Sequence, residues 1–159
     1  MITGPESLGV QYHRPRHGVK IKLLEEMNMV SKRKIRITIK WSAIIRWEAP
    51  NDGLIPERAG VYELLVKQND GNYLRRYIGQ GDNLRDCFQR HLSPKEPNEC
   101  IREHLAKHLC GFDYALIADR GDRLDAEMAL YDKYQQQAHC NRVRPPGSGR
   151  GYDVEIVEE

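Results

Sequence analysis

The chain has 159 residues, enough for one domain with a hydrophobic core and some additional structure. Its residues are 40% hydrophobic and 30% charged, as in ordinary globular proteins. No apolar run approaches the roughly 20 residues of a membrane-spanning helix, and the N-terminal region lacks the apolar core of a signal peptide. These features exclude an integral membrane protein and predict a cytoplasmic one. The cysteines are then expected to be reduced thiols. They are Cys87, Cys100, Cys110 and Cys140.

Positive charge is concentrated in the first third of the chain, although the net charge is only +2. Residues 1–56 contain ten Lys or Arg against five Asp or Glu, whereas the remainder contains fifteen against eighteen. A basic segment beside a nearly neutral domain suits contact with a phosphate backbone, and a solvated tail is the alternative. Because the first 20 residues show no periodicity, residues 1–33 are predicted to form a basic, flexible segment.

Residues 34–41 predict a strand added before the main domain, within a segment of strand and loop at residues 34–55. Hydrophobic and polar side chains alternate there, as in a half-buried strand with a basic outer face. The apolar positions are Ile35, Ile37, Ile39 and Trp41. The cations expected to contact nucleic acid are Arg33, Lys34, Arg36 and Lys40, together with Arg75 further along.

A β-hairpin is predicted over residues 60–79. Asp70-Gly71 lies between two alternating apolar runs and favours a two-residue type I′ turn, in which both residues have positive φ. That turn places Leu64 opposite Tyr77 and Tyr62 opposite Gly79, all on one face of the sheet. The two tyrosines become diagonal neighbours, roughly 7–8 Å apart. Because glycine leaves room for a molecule to approach the rings, the pattern indicates a site rather than a core.

The remaining elements follow the hairpin in the order helix, helix, strand, helix and strand. Periodicity and capping residues predict helices at residues 82–92, 97–110 and 123–139, and strands at residues 112–118 and 152–157. A mobile connector is predicted at residues 144–149. This order indicates an α+β fold, with a small central antiparallel sheet of about three strands, flanking helices and added N- and C-terminal strands. Residues 56–143 form its main domain, and residues 144–159 a connector and strand.

Two tripeptides of the hairpin carry a family resemblance. Gly60-Val61-Tyr62 and Tyr77-Ile78-Gly79 resemble the paired signature of the GIY-YIG nuclease family, and His91, Glu127 and Asn141 follow in the family's order. The resemblance covers about residues 56–142. It implies a divalent-metal-dependent endonuclease that cleaves DNA, with Mg²⁺ or Mn²⁺ held by Glu127.

The resemblance also implies roles for the site residues. One of Tyr62 and Tyr77 acts as the base while the other positions it or the phosphate, and Asn141 helps to hold the site together. The alternative for the tyrosines is that they simply favour strands. For Glu127, the alternative to metal binding is a salt bridge to a nearby arginine, for which Asp125 would serve equally well.

Cys87 departs from the family pattern. The family has an arginine four residues before the histidine, where it stabilises the charge of the phosphate, and a thiol cannot do this. Arg90 lies only about 60° away around the helix, and Arg75 is predicted to share the strand face of Tyr77. Either arginine is a candidate substitute, and loss of such a group commonly lowers the rate by roughly 10²–10³. Weak cleavage is therefore expected.

A competing group of metal ligands is Cys100, His104 and His108, spaced four residues apart on one helix, with His139-Cys140 elsewhere. The third helical residue would lie about 6 Å beyond the first two, and paired-cysteine knuckles are missing. This pattern is more typical of the flanks of a buried face. Besides the nuclease, the sequence thus leaves open a degenerate nucleic-acid-binding module and a zinc-stabilised interaction domain.

Overall fold

A computed structural model of the protein describes residues 31–159, and its elements confirm the predicted α+β class. Residues 1–30 of the predicted basic segment lie outside this range. The elements are β1 (Lys34–Ile39), β2 (Ile45–Arg46), a 3₁₀ helix (Ala49–Leu54), β3 (Gly60–Lys67), β4 (Tyr73–Gly81), α1 (Leu84–Leu92), α2 (Glu99–Lys107), β5 (Cys110–Leu116), α3 (Arg120–Tyr134) and β6 (Asp153–Glu158). Among the described helices, none is long and apolar enough to cross a membrane.

The main sheet is antiparallel and has the strand order β2-β5-β3-β4. Strands β3, β4 and β5 are the three predicted central strands. The short strand β2 adds a fourth by pairing Ile45 with Phe112 and Arg46 with Gly111. The segment after β1, residues 42–47, neither continues that strand nor forms a helical turn. Instead, β1 pairs in parallel with β6 as a separate two-stranded sheet.

Two hydrophobic clusters divide the fold into layers. Trp47, Phe88 and Phe112 are prominent in the cluster that joins α1 and α2 to one face of the sheet. On the other face, Ala126 and Leu130 of α3 pack with β1 residues and with Ile78. The segment containing Trp47, expected to be an addition, therefore contributes to the principal core.

Capping residues fix the helix boundaries where they differ from the predicted ones. The Asn98 side chain accepts from Ile101 N at 3.3 Å, so α2 begins after it, and Cys110 and Gly111 belong to β5 instead of ending the helix. The Asp119 side chain accepts from Asp122 N at 2.8 Å, so α3 begins earlier than predicted. A carboxylate at an N-cap binds amide groups that have no partner within the helix.

The hairpin turn differs from the predicted type, yet the tyrosine register is correct. Only Gly71 in this turn has a positive φ, of 87°, and Gln68 N donates to Asn72 O at 2.7 Å, so the turn consists of the three residues 69–71 with a left-handed glycine at its end. This change shifts the pairing by one residue near the turn. A bulge at Arg76 then shifts it back, because Leu65 pairs with Arg75 whereas Leu64 pairs with Tyr77.

The segment at residues 144–149 is packed against α3, contrary to the prediction of a mobile connector. Ser148 N donates to Asp125 Oδ1 at 2.8 Å, and the Arg150 guanidinium donates to Asp125 Oδ2 at 2.6 Å. Pro145 is buried. The sequence suggested flexibility because of its Pro and Gly content, but these polar contacts hold the backbone in place.

Candidate active site

The two signature tyrosines lie on one face of the hairpin, as predicted. Tyr62 pairs with Gly79 and Leu64 pairs with Tyr77, and the tyrosine ring centroids are 6.1 Å apart. A Cβ atom at Gly79 would lie 2.5 Å from Tyr62 Cζ and 2.8 Å from Tyr77 Cε1. The absent side chain therefore makes room for the tyrosine rings themselves, and the expectation that it leaves space for a ligand was wrong.

A buried chain of hydrogen bonds starts at Tyr62. Its Oη lies 2.7 Å from His91 Nε2, and His91 Nδ1 lies 2.7 Å from Glu96 Oε2. The side chain of Tyr62 is 1% exposed, that of His91 6% and that of Glu96 4%. A carboxylate only accepts hydrogen bonds, so His91 donates a hydrogen bond from Nδ1 to Glu96 and accepts one at Nε2 from the hydroxyl of Tyr62. The α1 face that carries positions 87 and 91 is thus turned towards the tyrosines, as predicted.

Burial controls the protonation of this chain. Burial raises the pKa of Tyr62 well above its usual value, and the charge of Tyr77 raises it further. Burial also lowers the pKa of His91 against the opposing effect of Glu96, with Arg90 adding to the decrease. In the resting protein, Tyr62 is therefore a phenol and His91 is neutral. Tyr62 can accept a proton only when its own proton passes to His91.

Glu96 is the functional residue that sequence reasoning missed. It lies in the turn between α1 and α2, where Glu96 N donates to Ser93 O at 3.0 Å. Its second oxygen accepts from Asn98 N at 2.9 Å. A signal was present, because Ser93-Pro94 ends the helix and the turn that follows brings an acidic residue back to the histidine.

Glu127 faces a cavity of about 300 Å³ together with Tyr77 and Asn141. No hydrogen bond or ion pair of its carboxylate is found within residues 31–159. Burial raises the pKa of Glu127 to about 7. Its neighbour Asp125 pairs with Arg150 at 2.6 Å instead. Of the two acids considered for a salt bridge with an arginine, Asp125 forms one, and Glu127 forms none within residues 31–159.

Asn141 fastens the chain after α3 to the outer edge of β4. Its Oδ1 accepts from Ile78 N at 2.9 Å, and its Nδ2 donates to Ile78 O at 2.8 Å. The amide thus reproduces the hydrogen bonding of an adjacent strand, beside Tyr77. Asn98 extends this anchoring, since its Nδ2 donates to Cys140 O at 2.8 Å. These are contacts with a strand, so Asn141 does not act as a helix cap through them.

Cys87 is 3% exposed and lines a second cavity, of about 430 Å³. Burial raises the pKa of its thiol, so it contributes no positive charge and little negative charge. Arg90 reaches the same cavity, with Nη2 3.8 Å from Cys87 Sγ, and Arg120 lies at its margin. The carboxylate of Asp82 in this cavity is paired with Arg123. Arg90 thus places a cation beside Cys87, the position at which the resemblance leads us to expect an arginine.

Arg75 lies on the opposite face of the sheet, so the prediction that it shares the face of Tyr77 was wrong. Because of the bulge at Arg76, its Nε donates to Glu63 Oε1 at 2.6 Å. Its guanidinium also lies 4.0 Å from the centroid of the Tyr134 ring. Arg75 is thus engaged by Glu63 and Tyr134 on the face of the sheet opposite to the tyrosines.

The basic outer face of β1 is matched by acids on β6. Arg36 Nε lies 3.0 Å from Glu155 Oε2, and Lys40 Nζ lies 3.8 Å from Glu159 Oε2. Lys34 pairs in register with Asp153, and the Arg33 guanidinium lies 5.4 Å from the Tyr152 ring centroid. The alternation of buried and exposed positions in β1 is as predicted. The sequence did not predict, however, that a strand over 100 residues away would offset its charge.

The cysteine and histidine residues considered for zinc are arranged differently from the sequence expectation. His139-Cys140 lies beside Cys100 and His104, and ligand atoms of these four residues all lie within 4.8 Å of one another. His108 is not in the group. Cys100 and Cys140 form a disulfide, which corrects the expectation of reduced thiols for this pair, whereas Cys87 and Cys110 are free.

Comparison with known proteins adds no assignment. No protein-family model matches the chain, and no match is found among curated proteins or solved structures. The functional argument therefore depends on the residues and on their geometry.

Proposed function

We propose that residues 56–143 form a divalent-metal-dependent endonuclease site of the GIY-YIG type, which hydrolyses phosphodiester bonds in DNA. One observation carries the proposal. Tyr77, Glu127 and the anchored Asn141 meet around one cavity, while Tyr62 beside them is hydrogen-bonded to His91. The signature residues are thus close together in space although they are spread over about 80 positions of the chain.

The chemistry around Glu127 fits a hard cation. The carboxylate of Glu127 is partly buried and has no hydrogen bond or ion pair in the described part of the chain, so a bound cation would favour its charged form against the burial that raises its pKa to about 7. One carboxylate, completed by water and phosphate oxygens, is a usual environment for Mg²⁺. Bound there, Mg²⁺ or Mn²⁺ would supply positive charge to the phosphate oxygens during cleavage.

Proton transfer is the task of Tyr62, His91 and Glu96. Tyr62 Oη gives its proton to His91 Nε2 as it accepts one from the attacking water. His91 thereby becomes an imidazolium, and its Nδ1–H donates a hydrogen bond to the carboxylate of Glu96. The proposal gives the base role to Tyr62, because of this hydrogen-bond chain, and gives Tyr77, which lines the cavity of Glu127, the role of positioning the phosphate.

Three arginines provide charge for the phosphate backbone around the site. Arg90 and Arg120 line the cavity of Cys87, and Arg142 lines that of Glu127. They replace Arg75 and the β1 cations as the preferred contacts with DNA, because Glu63 engages Arg75 and acids on β6 offset β1.

The test is cleavage of plasmid DNA in the presence of Mg²⁺ or Mn²⁺ by the wild type and by Glu127→Ala. We expect the variant to lose metal-dependent cleavage while it keeps much of its DNA affinity, which is measured separately. Asp132→Asn is the matched control, because this exposed carboxylate lies on the same helix and pairs only with Arg144. Cleavage by Glu127→Ala at the wild-type rate would refute the assignment.

The second candidate function is a nucleic-acid-binding module that no longer cleaves. The observation in its favour is the buried thiol of Cys87 at the place of the family arginine. In the same assays, this function gives salt-dependent DNA binding and no cleavage with either metal ion.

A further inference from the structure

A cluster of two cysteines and two histidines lies where the N-terminal turn of α2 meets the loop after α3. Cys100 and His104 are four residues apart on α2, so their side chains lie on the same helical face. His139 and Cys140 come from the loop. No residue of the proposed active site belongs to this group.

The loop is held beside α2 by contacts that do not involve sulfur. Cys140 N donates to Arg76 O at 2.8 Å, and Cys140 O accepts from Asn98 Nδ2 at 2.8 Å. Ala138 in the same loop is 1% exposed. The fold thus brings the four side chains together whether or not the two sulfurs are joined.

The spacing of the two histidine nitrogens matches that of a tetrahedral zinc site, whereas the two sulfurs are bonded to each other and must separate before they can bind a metal ion. With Zn–S near 2.3 Å and Zn–N near 2.0–2.1 Å, the ligand atoms of a tetrahedron are roughly 3.3–3.8 Å apart. His104 Nε2 lies 3.2 Å from His139 Nε2, and the selected ligand atoms of all four residues lie within 4.8 Å of one another. Two neutral imidazole nitrogens this close must share a proton or a cation.

The hydrogen bonds of the histidines permit zinc binding after one local change. Arg76 donates to His139 Nδ1, so His139 donates from Nε2 to His104 Nε2 and the His104 proton lies on Nδ1, which has no hydrogen-bond partner in the described part of the chain. His104 can therefore offer Nε2 to zinc without moving its proton. His139 Nδ1 lies 3.4 Å from Arg76 Nη1. For His139 to offer Nε2 to zinc, its proton must move to Nδ1 and Arg76 must turn away. Arg76 then retains Gln137 O, now 3.3 Å from its Nη1, as an acceptor.

We propose that, when the Cys100–Cys140 disulfide is reduced, Cys100, His104, His139 and Cys140 form a Cys₂His₂ zinc site. A dithiol reductant transfers two electrons and two protons to the disulfide, which becomes two thiols while the reductant becomes a disulfide. Zn²⁺ then displaces one proton from each thiol and binds the two neutral imidazoles. The same four residues therefore link α2 to the loop through a disulfide under oxidising conditions and through zinc under reducing ones.

The Cys/His cluster is connected to the candidate active site by neighbouring residues of the chain. Asn141 follows Cys140, and Asn98, which lines the cavity of Glu127, holds Cys140 O. When the two sulfurs are joined by the disulfide or by zinc, the cluster restrains the side-chain amides of Asn98 and Asn141. The zinc proposal does not depend on nuclease activity, because metal content can be measured without DNA.

The experiment measures zinc content and cobalt spectra of the full chain. The protein is reduced with a phosphine, freed of metal and titrated with Zn²⁺ or Co²⁺. We expect one metal ion per chain and a thiolate-to-cobalt charge-transfer band, and we expect no uptake at the cluster after reoxidation with diamide. His104→Ala and His139→Ala should each weaken Zn²⁺ binding by more than about 10²-fold, because even outer-shell changes cost 10–100-fold.

The histidine variants keep the test decisive, because each can still form the disulfide and fold in the oxidised state. His108→Ala and Cys110→Ser are matched controls outside the cluster and should bind zinc as the wild type does. If the reduced wild type binds no zinc, the cysteines form a disulfide link only and the proposal is overturned. Wild-type affinity in either His104→Ala or His139→Ala would overturn it as well.

Discussion

Replacing Glu96 with glutamine tests the buried hydrogen-bond chain. Both carboxylate oxygens accept hydrogen bonds, Oε2 from His91 Nδ1 and Oε1 from Asn98 N. Glutamine has one acceptor oxygen and one amino group, so one donor of the chain loses its acceptor: His91 Nδ1–H or, if His91 takes the other tautomer, the hydroxyl of Tyr62. Leaving one buried donor without an acceptor costs roughly 1–3 kcal/mol.

Thermal unfolding measures this cost directly. In a domain of this size, 1 kcal/mol corresponds to roughly 4 °C in Tm, so Glu96→Gln should melt roughly 4–12 °C below the wild type. Plasmid cleavage should also fall by up to about 10⁴-fold, because the imidazolium formed at His91 loses its negative partner. Glu103→Gln, an exposed change on the neighbouring helix α2, is the control and should alter stability by less than about 0.5 kcal/mol.

A Tm of Glu96→Gln equal to that of the wild type would contradict this expectation. In that case, the two acceptor contacts of Glu96 do not both exist in solution. A variant that is destabilised as expected but cleaves DNA at the wild-type rate would preserve the structural argument and refute the catalytic role of the chain.

Two further predictions concern Cys87 and a buried acid pair. Cys87→Arg should raise cleavage at least about tenfold, since a guanidinium in this cavity can bind a phosphate with two hydrogen bonds. Glu63 and Asp113 are paired across β3 and β5, where burial raises their pKa values to about 7 and about 8, and Arg75 opposes the increase. The folded protein thus holds a proton that the unfolded chain releases. The contribution of this pair to the free energy of unfolding therefore declines as pH rises from about 5 to about 8. The decline is up to about 1.4 kcal/mol per pH unit for each proton. Asp113→Asn should flatten that decline in urea-unfolding measurements.

These two predictions have different controls. Cys87→Met places a long uncharged side chain in the cavity and should give no gain in cleavage, which separates charge from volume. If folded Cys87→Arg cleaves no faster than the wild type, the lack of a cation at this position does not limit the rate. For the acid pair, Asp132→Asn should leave the pH dependence unchanged, and a wild-type pH profile in Asp113→Asn would show that the pair does not share a proton.

The sequence by itself determined the elements whose signals are local. Alternating side chains predicted β1, and the hairpin signature placed Tyr62 and Tyr77 on one face. The helical spacing of positions 87 and 91 predicted which side of α1 faces them. These conclusions need only the periodicity of strands and helices and the geometry of a turn.

The tertiary structure decided which distant residues meet. Glu96 joins His91 through a turn between helices, and the bulge at Arg76 moves Arg75 to the other face of the sheet. Neither event has a periodic signal. The hairpin illustrates the limit: a three-residue loop and a bulge shift the register in opposite directions, so the correct tyrosine pairing was reached from an incorrect turn.

Long-range pairing likewise decided the roles of charged and metal-binding side chains. From the sequence, the cations of the β1 segment had no acidic partners, but in the fold Glu155 of β6 and Glu159 after it lie beside them. Similarly, His139-Cys140 is distant from Cys100 in sequence, and the packing of the loop after α3 against α2 brings them together. The electrostatic energy of a charged side chain, and the reactivity of a thiol, depend on the groups within a few ångströms of it. For these side chains the neighbours come from remote parts of the chain, so only the folded arrangement defines what they can do.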